Sequence, residues 1–321
     1  MLYKISFLFY DRLNSVIMNS IQAIRSQLNS QLMEIAQIRN DMICDDCIFV
    51  GSGDSYVAGL VAEYLTDHRS KCYSPSDLAH SGFKDRTKTY CFISVTGKTK
   101  SNIMTAKSAT DSGAKTVAVT FDNNSKLAQT CKEIITVDVK RPTTPTAGFG
   151  SFVANVVTCL QLAGISIPDR FIDWYNRGSE LSVDLIESDM LPQDRTLYLL
   201  GNNIMYAVSL YTSFQLAEFF ACNANAYKLE EFCHSPIFGL KKSDYVWILG
   251  QSESAISQRL DPLGLNLSYF ELGGNDPLSQ LFESIFFVQN LILLLAEKQG
   301  CTELQYVLRK DILKASTDII Y

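Results

Sequence analysis

Histidine is scarce in this sequence, with three residues in 321, and several common ligand-binding signatures are missing altogether. Neither GxxxxGKS/T nor GxGxxG occurs, so nothing in the sequence supports nucleotide or dinucleotide binding. One CxxC pair is present, Cys44 and Cys47 in "CDDC", but there is no second pair, and neither His68 nor His80 has metal-ligand spacing to it. The pair reads as ordinary thiols at a strand entrance, and neither a metal nor a cofactor is expected. No uninterrupted apolar run reaches membrane-spanning length. The nearest, "LFESIFFVQNLILLLAE", carries Glu283, Ser284, Gln289 and Asn290, which a buried amphipathic helix tolerates. The apolar opening "MLYKISFLFY" runs at once into "DRLN" without a small-residue cleavage site, so no secretory signal is read. A net charge of −6 argues against nucleic acid or an anionic membrane as the main partner, and no helix-turn-helix accompanies the chain. Nine scattered cysteines then read as reduced thiols in a cytoplasmic protein.

What is present is a rhythm. Residues 11–41 place apolar side chains at helical spacing (Leu13, Ile17, Ile21, Ile24, Leu28, Leu32), which predicts an N-terminal helical cap over 1–44. Short apolar strands then alternate with helices: "CIFVG", "SYVAGLVAEYLTD", "TYCFISV", "SNIMTAKSATDSG", "KTVAVTF", "EIITVDV". Such alternation means a parallel sheet covered by helices. A first domain over 45–165 and a connector over 166–194 follow. The rhythm restarts with "TLYLLG" in a second domain over 195–321. "FVGSGDSYVAGL" lies over "LLGNNIMYAVSL" with Gly51/Gly201, Tyr56/Tyr206 and Leu60/Leu210 in register, which reads as an internal duplication.

The loop "SVTGKTKSN" follows the strand "TYCFI" and leads into a helix. In open parallel sheets, ligands sit outside the carboxyl ends of the strands. The hydroxyls of Ser94, Thr96 and Thr99 offer donors to anionic oxygens, and Gly97 lets successive N–H groups turn one way. The following helix N-terminus adds its positive dipole end. Helix capping alone needs one hydroxyl, which Ser101 would supply, so the loop exceeds that need and reads as a phosphate cradle.

"FVGSGDSYVAG" followed by "ISVTGKTKSNI" resembles the sugar isomerase (SIS) domain, whose S-x-S-G-x-T loop clasps a phosphosugar's phosphate. Here that loop is Ser94, Val95, Thr96, Gly97, Lys98 and Thr99. Val95 replaces a polar residue and leaves only backbone to donate there. The family's first turn, G-x-G-T-S, corresponds to Gly51, Ser52, Gly53, Asp54 and Ser55. Asp54 departs from the pattern, and is expected to face sugar hydroxyls or an amino group because a carboxylate repels phosphate. The resemblance implies an α/β fold of two SIS domains, each a doubly wound, flavodoxin-like parallel sheet flanked by helices, with Gly53, Asp54, Ser55, Ser94, Val95, Thr96 and Thr99 binding substrate.

The second half resembles the isomerase portion of glutamine–fructose-6-phosphate aminotransferases. Gly201, Glu218, the run Ala224-Asn225-Ala226-Tyr227, then Glu231, His234 and Pro236 match without a gap. The resemblance implies Glu218 and His234 as catalytic residues, and a Schiff-base lysine in the tail "RKDILKASTDIIY", where Lys314 matches best and Lys310 is a rival. Aldose–ketose interconversion needs a carboxylate base, help with ring opening and stabilisation of charge on oxygen, and these residue types supply them. With no glutaminase portion in the 321 residues, glutamine-dependent amino transfer is not expected. The expected activity is a metal-free isomerase or deaminase on a hexose 6-phosphate, glucosamine or fructose 6-phosphate first. Glucose/mannose 6-phosphate isomerisation, a fructosamine-phosphate deglycase and a non-catalytic phosphosugar sensor are the alternatives. The resemblance also implies a homodimer in which the histidine is lent across the interface.

Overall fold

A computed structural model describes residues 18–44, 46–81, 83, 85–140, 142–184, 191, 195–250 and 258–321. The start of the sequence-predicted cap and residues 251–257, after "YVWILG", lie outside the described residues. The cap is represented by α1 (Ser20–Ile35), which Asn19 opens by accepting the Gln22 N–H while the Gln22 side chain returns to the Asn19 N–H.

The first sheet is built from β1 (Cys47–Val50), β2 (Lys71–Tyr73), β3 (Thr89–Ile93), β4 (Lys115–Thr120) and β5 (Glu133–Thr136), in the order β2-β1-β3-β4-β5, with every pair parallel. Alternate side chains point to opposite faces. Phe49, Cys91, Val117 and Val119 pack under α2 (Asp54–Leu65) and α6 (Phe149–Leu162), with α1 joining the same core. Val50, Tyr90, Phe92 and Ala118 pack against Leu78 of α3 (Pro75–Ser81), Ala106 and Ala109 of α4 (Lys100–Asp111) and Leu127 of α5 (Lys126–Thr130). Burial on both faces explains why β1, β3 and β4 read as continuous apolar runs rather than alternating ones.

Within the stretch read as a connector, residues 171–184 form a regular helix, α7 (Phe171–Asp184). The second sheet has β6 (Thr196–Leu200), β7 (Asn223–Tyr227), β8 (Tyr245–Leu249) and β9 (Asn266–Phe270), in the order β7-β6-β8-β9 and again parallel. Its inner face, with Leu197, Leu199, Trp247 and Leu249, meets α8 (Ile204–Phe220) and α10 (Pro277–Lys298). Its outer face packs against Phe232 of α9 (Leu229–His234) and Leu260. Two short helices, α11 (Gln305–Leu308) and α12 (Lys310–Ile320), end the chain.

One continuous core fills the space between the sheets. At its centre Phe152 stacks on Tyr211 with ring centroids 3.8 Å apart, and Phe149 stacks on Phe219 at 5.4 Å. α10 is the one helix among the described residues long and apolar enough to cross a membrane, and 83% of its most apolar window is buried in this core. Its polar side chains are partnered there: Glu283 accepts from Arg177 at 3.0 Å, and Gln289 Nε2 donates to Phe149 O and Tyr211 Oη, both at 3.1 Å. This packing fixes α8 against α2 and α6, and so sets where α8 ends.

Candidate active site

Two turns at the carboxyl end of the first sheet form the floor of a cleft of about 650 Å³. The first links β1 to α2. Gly51 is required by packing, because a Cβ there would lie 2.7 Å from the Ser55 carbonyl carbon. Gly53 then turns at φ 57° and ψ −133°, and α2 begins at Asp54 with no side-chain cap.

The second turn links β3 to α4. Ser94, buried, continues the sheet by donating its N–H to Val119 O at 3.0 Å, and its Oγ accepts the Gly97 N–H at 3.1 Å. Ser94 Oγ also lies 3.3 Å from Thr99 Oγ1, while Thr96 Oγ1 accepts the Lys98 N–H at 3.3 Å. Gly97 has φ 60°, and a Cβ there would stand 2.1 Å from Ser125 Oγ, so the position demands glycine. Asn102 Nδ2 donates to Ile93 O at 2.7 Å and locks the strand to the helix. α4 begins at Lys100 with Thr99 as N-cap, and no side chain caps it. The hydroxyls therefore gather around the loop rather than being spent on capping, and two helix N-termini without side-chain caps border the same cleft.

The wall is the end of α8, where Phe214, Ala217 and Glu218 share one helical face. Asp54 and Glu218, both half-buried, line this cleft together. Burial pushes the Glu218 carboxyl above the ordinary carboxylate range, and the Asp54 charge adds to the shift. Burial likewise raises Asp54, against which Gln215 Nε2 works by donating to Asp54 Oδ2 at 3.3 Å. Tyr211, behind the pair, is held well above its usual value by burial, with the charges of Asp54 and Glu218 adding. Two like charges in a partly desolvated cleft favour holding a proton between them.

Of the residues singled out in the sequence, Gly53, Asp54, Ser55, Ser94, Val95, Thr96, Thr99 and Glu218 meet in this one cleft. His234 and Lys314 do not. His234 ends α9 with its side chain exposed, Nε2 lying 3.9 Å from Glu230 Oε1. Lys314 is exposed on α12 and pairs with Asp318; Lys310, at the start of that helix, is exposed too. Ile319 and Ile320 at the end of α12, with Tyr321 after them, line the cleft instead. Lys100 Nζ donates to Asp318 O at 3.0 Å and holds the tail there. Ser52, Ser101, Phe214 and Ala217 also line the cleft. Phe214 was readable from its spacing of four residues to Glu218; Ala217, its direct neighbour, and the tail residues carried no such signal.

The fold and cleft together define an α/β protein of parallel sheets flanked by helices, with a hydroxyl-rich turn facing a carboxylate pair. Residues 44–164 match the family model described as the SIS domain. Over 238 residues the chain is 25% identical to a glutamine–fructose-6-phosphate aminotransferase (isomerizing) of Mycobacterium leprae, a match covering 66% of this chain and 37% of that one. The corresponding protein of Streptomyces coelicolor is 24% identical over 217 residues, covering 60% and 35%. The chain thus spans little more than a third of the length of these curated relatives. Among solved structures, a glucosamine-6-phosphate deaminase from Thermotoga maritima superposes with a TM-score of 0.68 at 19% identity, covering 88% of this chain and 95% of that one. The C-terminal domain of glucosamine-fructose-6-phosphate aminotransferase from Francisella tularensis gives 0.62 at 16% identity, covering 88% and 96%.

Proposed function

We propose that the protein is a phosphosugar aldose–ketose isomerase or deaminase acting on a hexose 6-phosphate, with glucosamine 6-phosphate and fructose 6-phosphate as the leading pair. The carrying observation is that the hydroxyl turn of the first half and Glu218 of the second line one cleft. In this reading Ser94, Thr96 and Thr99, with the backbone of Val95 and the turn at Gly53 and Ser55, hold the phosphate. Glu218 moves a proton between C1 and C2 through an enediol or enolamine. Asp54 faces a hydroxyl or the 2-amino group. An ammonium group beside Asp54 and Glu218 would offset their mutual repulsion and favour their ionised forms, which supports an amino sugar over a neutral one. Deamination then consumes glucosamine 6-phosphate and water and yields fructose 6-phosphate and ammonia.

His234 is assigned ring opening, lent to the cleft of a second copy in a homodimer, which accords with its exposure and its distance from its own chain's cleft. Lys314 is assigned the imine with the open sugar, and reaches it only if α12 shifts. Each half is taken as a doubly wound, flavodoxin-like SIS domain, with limits at 45–165 and 195–321. A cytoplasmic setting is supported by nine free cysteines and by the burial of α10. The exclusion of His234 and Lys314 from the cleft favours a second reading, a non-catalytic phosphosugar sensor.

Incubation with glucosamine, glucose, fructose and mannose 6-phosphates, followed by ammonia release and sugar interconversion, separates the two. Turnover of an amino sugar is the expected result. No turnover, with one sugar phosphate raising the melting temperature, makes the protein a sensor.

A further inference from the structure

The "CDDC" pair has no ligand partner in the sequence around it, but the fold supplies one. Cys44 lies in the segment entering β1, Cys47 opens β1, and Cys91 lies on the neighbouring strand β3, where Phe49 pairs with Cys91. The three sulfur atoms lie within 4.8 Å of one another, and all three residues are buried, Cys47 and Cys91 completely. The segment is held from outside as well. The Cys44 N–H donates to Leu162 O, at the end of α6, at 2.7 Å, and Cys47 Sγ lies 3.7 Å from the same oxygen. None of the nine cysteines is in a disulfide.

We propose that Cys44, Cys47 and Cys91 form a structural site for a thiophilic divalent cation of the zinc type. Thiolate sulfurs bind zinc at about 2.3 Å, which places tetrahedral neighbours about 3.8 Å apart, so the three sulfurs reach that geometry by small side-chain rotations. Three thiolates around a dication leave one negative charge, and Lys115 lies close enough to act on Cys44 electrostatically. The three thiolates fill three of the four tetrahedral positions. Binding displaces three thiol protons to solvent and involves no change of oxidation state. The site sits at the end of the sheet opposite the cleft, since Cys47 opens the strand whose far end leads to Gly51. Its work is to tie the segment after α1 and the end of α6 to the first sheet. It is independent of the reading of the cleft.

The test uses the full chain, reduced and stripped with chelator, and Co²⁺ as the probe. Expected are one equivalent bound per chain with sulfur-to-cobalt charge-transfer absorption, displacement by Zn²⁺, and a melting temperature that rises with zinc and saturates at one equivalent. Cys91→Ser should abolish both signals, and Cys233→Ser, at an exposed position, should keep them. In the unaltered protein, zinc should protect Cys44, Cys47 and Cys91 together from alkylation, a readout that does not depend on a variant folding. The proposal is overturned if no stoichiometric metal binds, if the cobalt spectrum survives Cys91→Ser, or if the protein as isolated carries a Cys44–Cys47 disulfide.

Discussion

The two sheets carry corresponding clefts at their carboxyl ends, of about 650 and 550 Å³. With Gly51 over Gly201, the second cleft is lined by Asn202, Asn203, Ile204 and Met205 where the first has Ser52, Gly53, Asp54 and Ser55. The opposite walls correspond too. Phe214, Ala217 and Glu218 of α8 line the first cleft, and Tyr64 in the last turn of α2, with Asp67 and His68 just past it, line the second. Each half thus lends the end of its first helix to the other half's cleft. The backbone is repeated even where the side chains are not: Gly53 and Asn203 turn at φ 57° and 50° with ψ −133° and −123°. The difference lies in the chemistry. Hydroxyls and the carboxylate pair Asp54 and Glu218 line the first cleft, whereas the second has the single carboxylate Asp67, and an isoleucine and a methionine replace the aspartate and serine. His68, opposite them, is already paired with Glu63 at 2.9 Å. Strand-to-helix geometry is enforced by packing, while the side chains at the tips are free to diverge.

The strongest way to break this contrast is to exchange the two wall residues. Glu218→Gln should lower turnover by about 10²–10⁴-fold, the range for losing a positioned general base, while His68→Gln leaves turnover unchanged. Equal losses in a steady-state assay would make the clefts functionally alike. Next in size, Ser94→Ala should raise the KM for a sugar phosphate about 10–100-fold, the equivalent of losing one hydrogen bond to a charged group, with little change in kcat. A fall in kcat at constant KM would remove Ser94 from phosphate binding.

The shared turn is open to a smaller test. Asn203 holds a positive φ that costs a side chain about 1 kcal/mol or more, so Asn203→Gly should stabilise the protein by about 1 kcal/mol and Gly53→Asn should destabilise it similarly. Denaturant midpoints measure both, and effects of the same sign would refute the correspondence. The smallest effect concerns pH. Glu218 acts as a base only when deprotonated, so kcat/KM should fall as pH drops through its raised pKa. Asp54→Asn removes the like charge and should move that acidic limb to lower pH. Because burial is the larger cause, the limb should stay above the ordinary carboxylate range. A limb that does not move would separate the two carboxylates.

Legibility in the sequence followed the range of the interactions. The strand–helix alternation and the hydroxyl turn around Gly97 are local patterns, and they stand in the structure at β3, Ser94–Thr99 and α4. β2, three residues long, and β7, the polar "NANAY", carry little apolar signal, and their place beside β1 and β6 comes from pairing rather than propensity. The helix within the connector was obscured by Pro168 and Pro192 at its flanks. Ile319, Ile320 and Tyr321 were read only as part of a lysine-bearing tail.

By itself, then, the sequence determined local parts: the strand–helix alternation through β1, β3 and β4, and the hydroxyl turn at Gly97. Each depends on backbone geometry or helical period within a few residues. Only the tertiary structure decided which parts share a space. Packing α8 against α2 and α6 carried Glu218 to Asp54, and pairing β1 with β3 carried Cys91 to Cys44 and Cys47. Burial on that scale raises carboxylate pKa values and gathers thiols, and it arises from contacts between segments far apart in the chain.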